Sequence, residues 1–137
     1  MQALEISRSG LDVEWQRLQV IASNLANINT SRTASGDPYR AMRLVSGPRT
    51  GFSNLLSGAP GGVEVQGLEP VQGNARRIYE PGHPHADADG FVTYPAIDHA
   101  GEMTLLIQTA RAYEANLTAM GIAQQMYARA MQLGRQS

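Results

Sequence analysis

Leucine recurs every seventh residue at Leu4, Leu11, Leu18 and Leu25, and this spacing constrains the fold more than any other feature of the chain. Trp15, Ile21, Ala22 and Ile28 fall at the half-steps of three or four residues. A seven-residue apolar repeat with a second apolar position between is the mark of a helix whose seam another helix covers. Arg8, Asp12, Gln16, Arg17 and Gln19 occupy the remaining faces. The pattern predicts a helix through about Ile28, roughly 40 Å long at ~1.5 Å per residue.

The other end of the chain repeats the arrangement. Met103, Ala110, Leu117 and Met131 share one heptad position, with Gln124 as its polar exception, and Leu106, Tyr113, Met120, Tyr127 and Gly134 share the other. No Pro interrupts the stretch, and its Ala, Gln, Met, Leu and Arg are good helix formers, with Gly121 the one weak point. Asp98 is the expected N-cap, and Glu102 places negative charge near the positive end of the helix dipole. The simplest outcome is a helical hairpin within one subunit. Such pairing buries one face of each helix and leaves apolar positions such as Trp15, Ile21, Met120 and Tyr127 for neighbouring subunits.

The middle of the chain has a different character. All 7 Pro and most of the 14 Gly lie between Thr33 and Pro95, which argues against long helices there. Candidate strands are Tyr39–Val45, Val63–Leu68, Ala75–Tyr79 and Phe91–Tyr94, with Ser46–Gly62 read as a loop. A segment of this kind buries little apolar surface alone, so it must lean on the helices or on a neighbour. The expected fold class is therefore α+β, mainly α. Long N- and C-terminal helices pack as a coiled-coil-like axial domain (1–32 with 98–137), and a small β-rich insert (33–97) lies between them.

Composition narrows the function. The formal net charge is -1, and the basic residues are all Arg, mostly isolated, which argues against nucleic acid as a partner. With no cysteine, disulfides, thiolate catalysis and Cys-based zinc sites are excluded. Glu5, Arg8, Asp12 and Glu14 interrupt the region that a cleavable signal peptide would need to be apolar. No apolar run approaches the ~20 residues of a membrane span.

Two clusters carry possible chemistry. In Pro81-Gly82-His83-Pro84-His85-Ala86-Asp87-Ala88-Asp89-Gly90, the residues His83, His85, Asp87 and Asp89 alternate. An extended backbone would put all of them on one side, where imidazoles and carboxylates can hold a divalent metal. The competing reading is a rigid turn set by Pro81 and Pro84, with Asp side chains capping local N–H groups. The ligand set is incomplete for a calcium loop, so no metal and no cofactor is expected. A small metal-binding module or metal-dependent enzyme centred on these residues is the rival reading. In the second cluster, Asn24 and Asn27 share a helical face, where amides either end the helix or fix its register against another.

Ser23-Asn24-Leu25-Ala26-Asn27, then Thr30 and Gly36-Asp37-Pro38-Tyr39-Arg40, resembles the N-terminal signature of bacterial flagellar rod, hook and filament-axis proteins. Within that group, Tyr79-Glu80-Pro81-Gly82-His83-Pro84-His85-Ala86-Asp87-Ala88-Asp89-Gly90-Phe91-Val92 is similar to the central motif of the C-type proximal rod family. Glu102-Met103 and Arg111-Ala112-Tyr113-Glu114-Ala115-Asn116 resemble that family's C-terminal signature. One departure is Pro95-Ala96-Ile97, where the family usually shows Pro-Asn-Val; losing that amide bears on the start of the last helix.

The resemblance implies a non-enzymatic, self-assembling subunit of the proximal rod of the flagellar basal body, a hollow shaft that transmits torque and passes export substrates. Its implied partners are copies of itself, the B-, F- and G-type rod proteins, the rod-to-MS-ring adaptor and the flagellar type III export apparatus. Its implied location is the rod within the periplasmic space, reached without signal cleavage. The expected subunit-interface residues are Leu11, Leu18, Asn24, Leu25 and Asn27 from the first helix. From the last they are Met103, Arg111, Tyr113, Asn116 and Leu117.

Overall fold

A computed structural model describes residues 2–51 and 61–135. In chain order the elements are α1 (Gln2–Ala26), β1 (Met42–Pro48), β2 (Val63–Pro70), β3 (Arg76–Tyr79), β4 (Phe91–Tyr94) and α2 (His99–Gly134). The two expected helices flank a small β-rich insert. They run antiparallel: Asn24 of α1 meets Glu102 of α2, Trp15 meets Tyr113, and Gly10 meets Asn116. That register brings the start of α1 level with the residues near 124, so the last ten or so residues of α2 extend beyond α1.

α1 ends at Ala26, short of the expected Ile28, because Asn27 N–H already shares the carbonyls of Ser23 and Asn24 at 3.1 and 3.3 Å and the chain then turns. Asp98 takes the N-cap position of α2, although its side chain makes no capping hydrogen bond. The substituted Pro95-Ala96-Ile97 step leaves the start of α2 intact, with Pro95 and Ile97 both buried.

β1 and β2 form one antiparallel pair, with an irregularity between Val45 and Ser46, and β3 and β4 form another. β1 is displaced from the expected Tyr39–Val45: Tyr39 N–H bonds back to Thr30 O at 3.1 Å, closing the connector, and pairing continues through Ser46 to Pro48. The remainder of the Ser46–Gly62 loop lies partly outside the described residues. β4 keeps its expected bounds.

The first hairpin leans on α1. The Arg17 guanidinium donates to Leu44 O at 3.0 Å and to Ser46 Oγ at 2.8 Å. Ser9 Oγ donates to Ile6 O at 2.7 Å and accepts from Val63 N–H at 3.0 Å. Because α1 serves both α2 and this hairpin, its buried line runs between them through Ser9, Gly10, Val13, Ile21 and Asn24. The leucine row flanks that line and is only half-buried. Ile21, expected to wait for a neighbouring subunit, is instead 2% exposed inside this one.

The helices approach closely at Gly10, where a Cβ would sit 2.8 Å from Asn116 Oδ1. Gly10→Val is therefore expected to push α1 from α2 and lower the unfolding free energy by about 1–3 kcal/mol, read by urea denaturation. An unchanged midpoint would mean that the helices are not in contact there.

Candidate subunit interface

The residues expected to meet partners divide into an internal anchor and an outward face. Asn24 is 0% exposed. Its Oδ1 accepts from Met42 N–H and from Tyr39 Oη–H, both at 3.1 Å, and its Nδ2 donates to Met42 O at 2.9 Å and Glu102 Oε2 at 3.3 Å. The amide thus satisfies both backbone groups of Met42, as a neighbouring strand would, at the point where β1 begins. Glu102, 2% exposed, is completed by an ion pair with Arg43. A buried carboxylate needs such a partner, since an unpaired charge in the interior is costly. Every buried side-chain polar atom among the described residues has a hydrogen-bond partner.

Asn27 does the simpler job of ending α1: it donates to Ser23 O at 2.8 Å and accepts from Thr30 Oγ1 at 3.0 Å. Leu11, Leu18 and Leu25 are half-buried beside the seam. Tyr113 and Asn116 are also half-buried, the first with its ring 6.3 Å from that of Trp15, the second facing Gly10. Met103, Arg111 and Leu117 point outward, and Leu117 is 51% exposed. The ten residues therefore form no single patch.

Sequence reasoning missed Ser9, Gly10, Arg17, Tyr39, Arg43 and Gly62. Gly62 carries a visible signal, a Gly-Gly pair before a strand: its φ is +81°, and a Cβ there would lie 2.3 Å from Ser9 Oγ. It also missed how far the apolar exposure extends. Ile107, Leu117, Ile122, Met126, Met131 and Leu133 are all exposed along α2, Met126 by 67% and Leu133 by 70%. Met126, Met131 and Leu133 lie in or next to the part that overhangs α1.

The His–Asp segment is turned rather than extended, so its side chains do not line one side. Asp87 Oδ1 accepts from Asp89 N–H at 3.0 Å and Phe91 N–H at 2.9 Å, while Oδ2 accepts from Arg77 at 2.6 Å. His83 Nδ1 accepts from His85 N–H at 3.0 Å, and His85 Nδ1 meets Ser31 Oγ at 2.8 Å. Among the described residues no group of three or more acidic or imidazole side chains is placed to hold a metal ion. The geometry favours the turn reading.

The Phe91 N–H, helped by Arg77 and the Asp89 N–H, holds the Asp87 carboxyl below its ordinary 3.8. A depressed carboxylate contributes stability that is present above its unfolded value and lost as pH falls through the folded one. The Asp89 and Phe91 amide resonances are accordingly expected to move in acid with a midpoint below 3.8. Movement centred above 3.8 would contradict the bonding described. Tyr94 donates to Glu80 Oε2 at 2.9 Å, and that bond raises its phenol above the usual 10.0.

Comparison with known proteins places this geometry. Residues 4–32 match a family described as flagella basal body rod protein, and residues 88–133 match one described as flagellar basal body rod FlgEFG protein C-terminal. Flagellar basal-body rod protein FlgC of Escherichia coli O6:H1 is 36% identical over 137 residues, covering 98% of both chains. The chain belongs to the FlgC family. The FlgC of Bacillus subtilis strain 168 is 34% identical, covering 97% of both chains, and that of Aquifex aeolicus is 34% identical, covering 93% of this chain and 91% of its own. The two segments that match the rod families hold α1 and α2. In this FlgC-family chain the Asn24–Glu102 bond joins them, and Arg43, from the insert between, completes the contact.

Proposed function

We propose that the chain is a structural subunit of the flagellar basal-body rod, without a catalytic role. It assembles with copies of itself and with other rod proteins into the hollow shaft that transmits torque and passes export substrates. In this reading 1–32 and 98–137 form the axial unit and 33–97 an outward insert, and B-, F- and G-type rod proteins, the rod-to-MS-ring adaptor and the type III export apparatus are its neighbours. The shaft crosses the periplasm, and the subunit reaches it without signal cleavage.

The observation that carries this reading is the set of apolar side chains exposed around α2, continuing where α1 no longer covers it. An exposed apolar surface of this extent on a polar-rimmed helix marks a protein contact. The anchor residues hold that helix rigidly against the rest of the subunit. Leu117, Met103 and Arg111 are the interface residues facing outward; Leu11, Leu18, Leu25, Asn27, Tyr113 and Asn116 contribute at the rim of the seam, and Asn24 shapes the face from within. Deleting the gene and isolating basal bodies tests the reading. Cells are expected to lack complete rods and to regain them when the chain is supplied; complete rods in the deletion strain would contradict it.

A further inference from the structure

Asn and Asp commonly close a turn by accepting, on a side-chain oxygen, the backbone N–H two residues ahead. The β3–β4 loop makes that turn twice. At its second occurrence Asp87 accepts from Asp89 N–H at 3.0 Å. At its first, the acceptor is an imidazole: His83 Nδ1 takes the His85 N–H at the same 3.0 Å. An N–H cannot accept from an N–H, so Nδ1 must carry its lone pair, and the proton of the neutral ring sits on Nε2. Imidazolium has donors on both nitrogens and cannot make this bond. His85, held by that turn, reaches Ser31 in the connector between α1 and β1 at 2.8 Å.

We infer that residues 83–85 form an acid-labile clasp: neutral His83 closes the turn that seats His85 on Ser31, and a proton on His83 Nδ1 opens it and frees the connector from the loop. The two bonds respond differently to acid. Ser31 Oγ can accept from a protonated His85 as readily as it donates to a neutral one, so the Ser31–His85 link alone tolerates a proton. The His83 bond does not. The rings are 5.2 Å apart in a T-shaped arrangement, so charging both adds repulsion within the turn.

The surrounding groups leave His83 without a carboxylate dedicated to it. Glu80 is engaged by Tyr94, whose ring lies 6.4 Å from that of His83. Arg76 sits over the Tyr94 ring at 5.7 Å, and Arg77 is paired with Asp87. Asp89 and Arg32, the latter next to Ser31, are exposed. Imidazoles change charge between about pH 5 and 8, whereas carboxylates do so in stronger acid. The bond that closes the first turn exists only while Nδ1 is unprotonated, whereas the second accepts on a carboxylate. The first turn therefore opens while the second, on Asp87, still holds.

NMR on the full chain tests this, following the imidazole nitrogens of His83 and the backbone amides of Ser31, His85 and Asp89 from pH 8 to pH 5. The His85 amide is expected to shift with the His83 ring and with the same midpoint, and the Asp89 amide is expected to stay still. His83→Asn keeps an oxygen able to accept the His85 N–H but cannot titrate in this range. In that variant the His85 amide should retain its high-pH position and lose the part of its pH response that follows the His83 ring. A His85 amide that ignores protonation of His83 in the unsubstituted protein overturns the proposal. So does an unaltered pH response in a folded His83→Asn protein. If that variant does not fold, the titration of the unsubstituted protein decides alone.

Discussion

Asn24→Leu is expected to lower the unfolding free energy by about 3–5 kcal/mol, the largest stability effect of any single substitution considered. Leucine keeps the branch at Cγ and is no smaller, so the loss is not a cavity. It comes from stranding Met42 N–H, from removing the 2.9 Å bond to Met42 O, which keeps only a 3.4 Å bond from Arg43, and from removing a donor to buried Glu102. An unmet buried polar group costs about 1–3 kcal/mol, and several are created together. Urea denaturation reads the effect. Asn27→Ala is the control: it removes local bonds at the half-exposed end of α1 and should cost about 1 kcal/mol or less. Equal losses from the two substitutions would show that Asn24 is only another helix terminator.

Leu117→Glu combined with Met126→Glu is expected to abolish motility while leaving the subunit folded. Leu117 is 51% and Met126 67% exposed, and neither lies on the buried line between α1 and α2. Substitutions at such positions usually change stability by about 0.5 kcal/mol or less. In a closed contact between subunits the same charges lose their water and cost several kcal/mol each. Swimming in soft agar, with circular dichroism of the purified variant, separates the effects. A motile strain would remove these exposed apolar positions of α2 from the assembly surface, and an unfolded variant would place them in the core.

Much of this arrangement is legible in the sequence because it follows local periodicity. The heptad spacing of Leu4, Leu11, Leu18 and Leu25 marks α1, and the Gly- and Pro-rich stretch marks the insert. Phe91–Tyr94 reads as a strand at its observed bounds because an apolar, β-branched and aromatic run stands between turn residues.

The buried line of α1 was not legible. It is drawn in part by Ser9, Gly10 and Asn24, residues selected for close approach and hydrogen bonding, which a hydrophobic pattern passes over. The leucine row predicts a helical seam but not its exact centre, because the first β hairpin also claims α1. Glu102 near a helix start has an adequate local explanation in the dipole. Its real partner, Arg43, is 59 residues away and belongs to a strand, so nothing within one helical window points to it. The His–Asp alternation left two readings open because period two implies one shared side only if the backbone is extended, and here the side chains themselves bend it, as the turn reading has it.

The most direct test of the central claim, that α2 presents the face by which this FlgC-family subunit is built into the rod, uses the absence of native cysteine. Leu117→Cys gives the chain a unique thiol, and a small maleimide reports whether water reaches it. The thiol is expected to react readily in the purified subunit and to be protected in isolated basal bodies, while a thiol placed by Glu69→Cys on the exposed end of β2 stays reactive in both. Full labelling at position 117 in intact basal bodies, equal to that of the free subunit, would contradict the account.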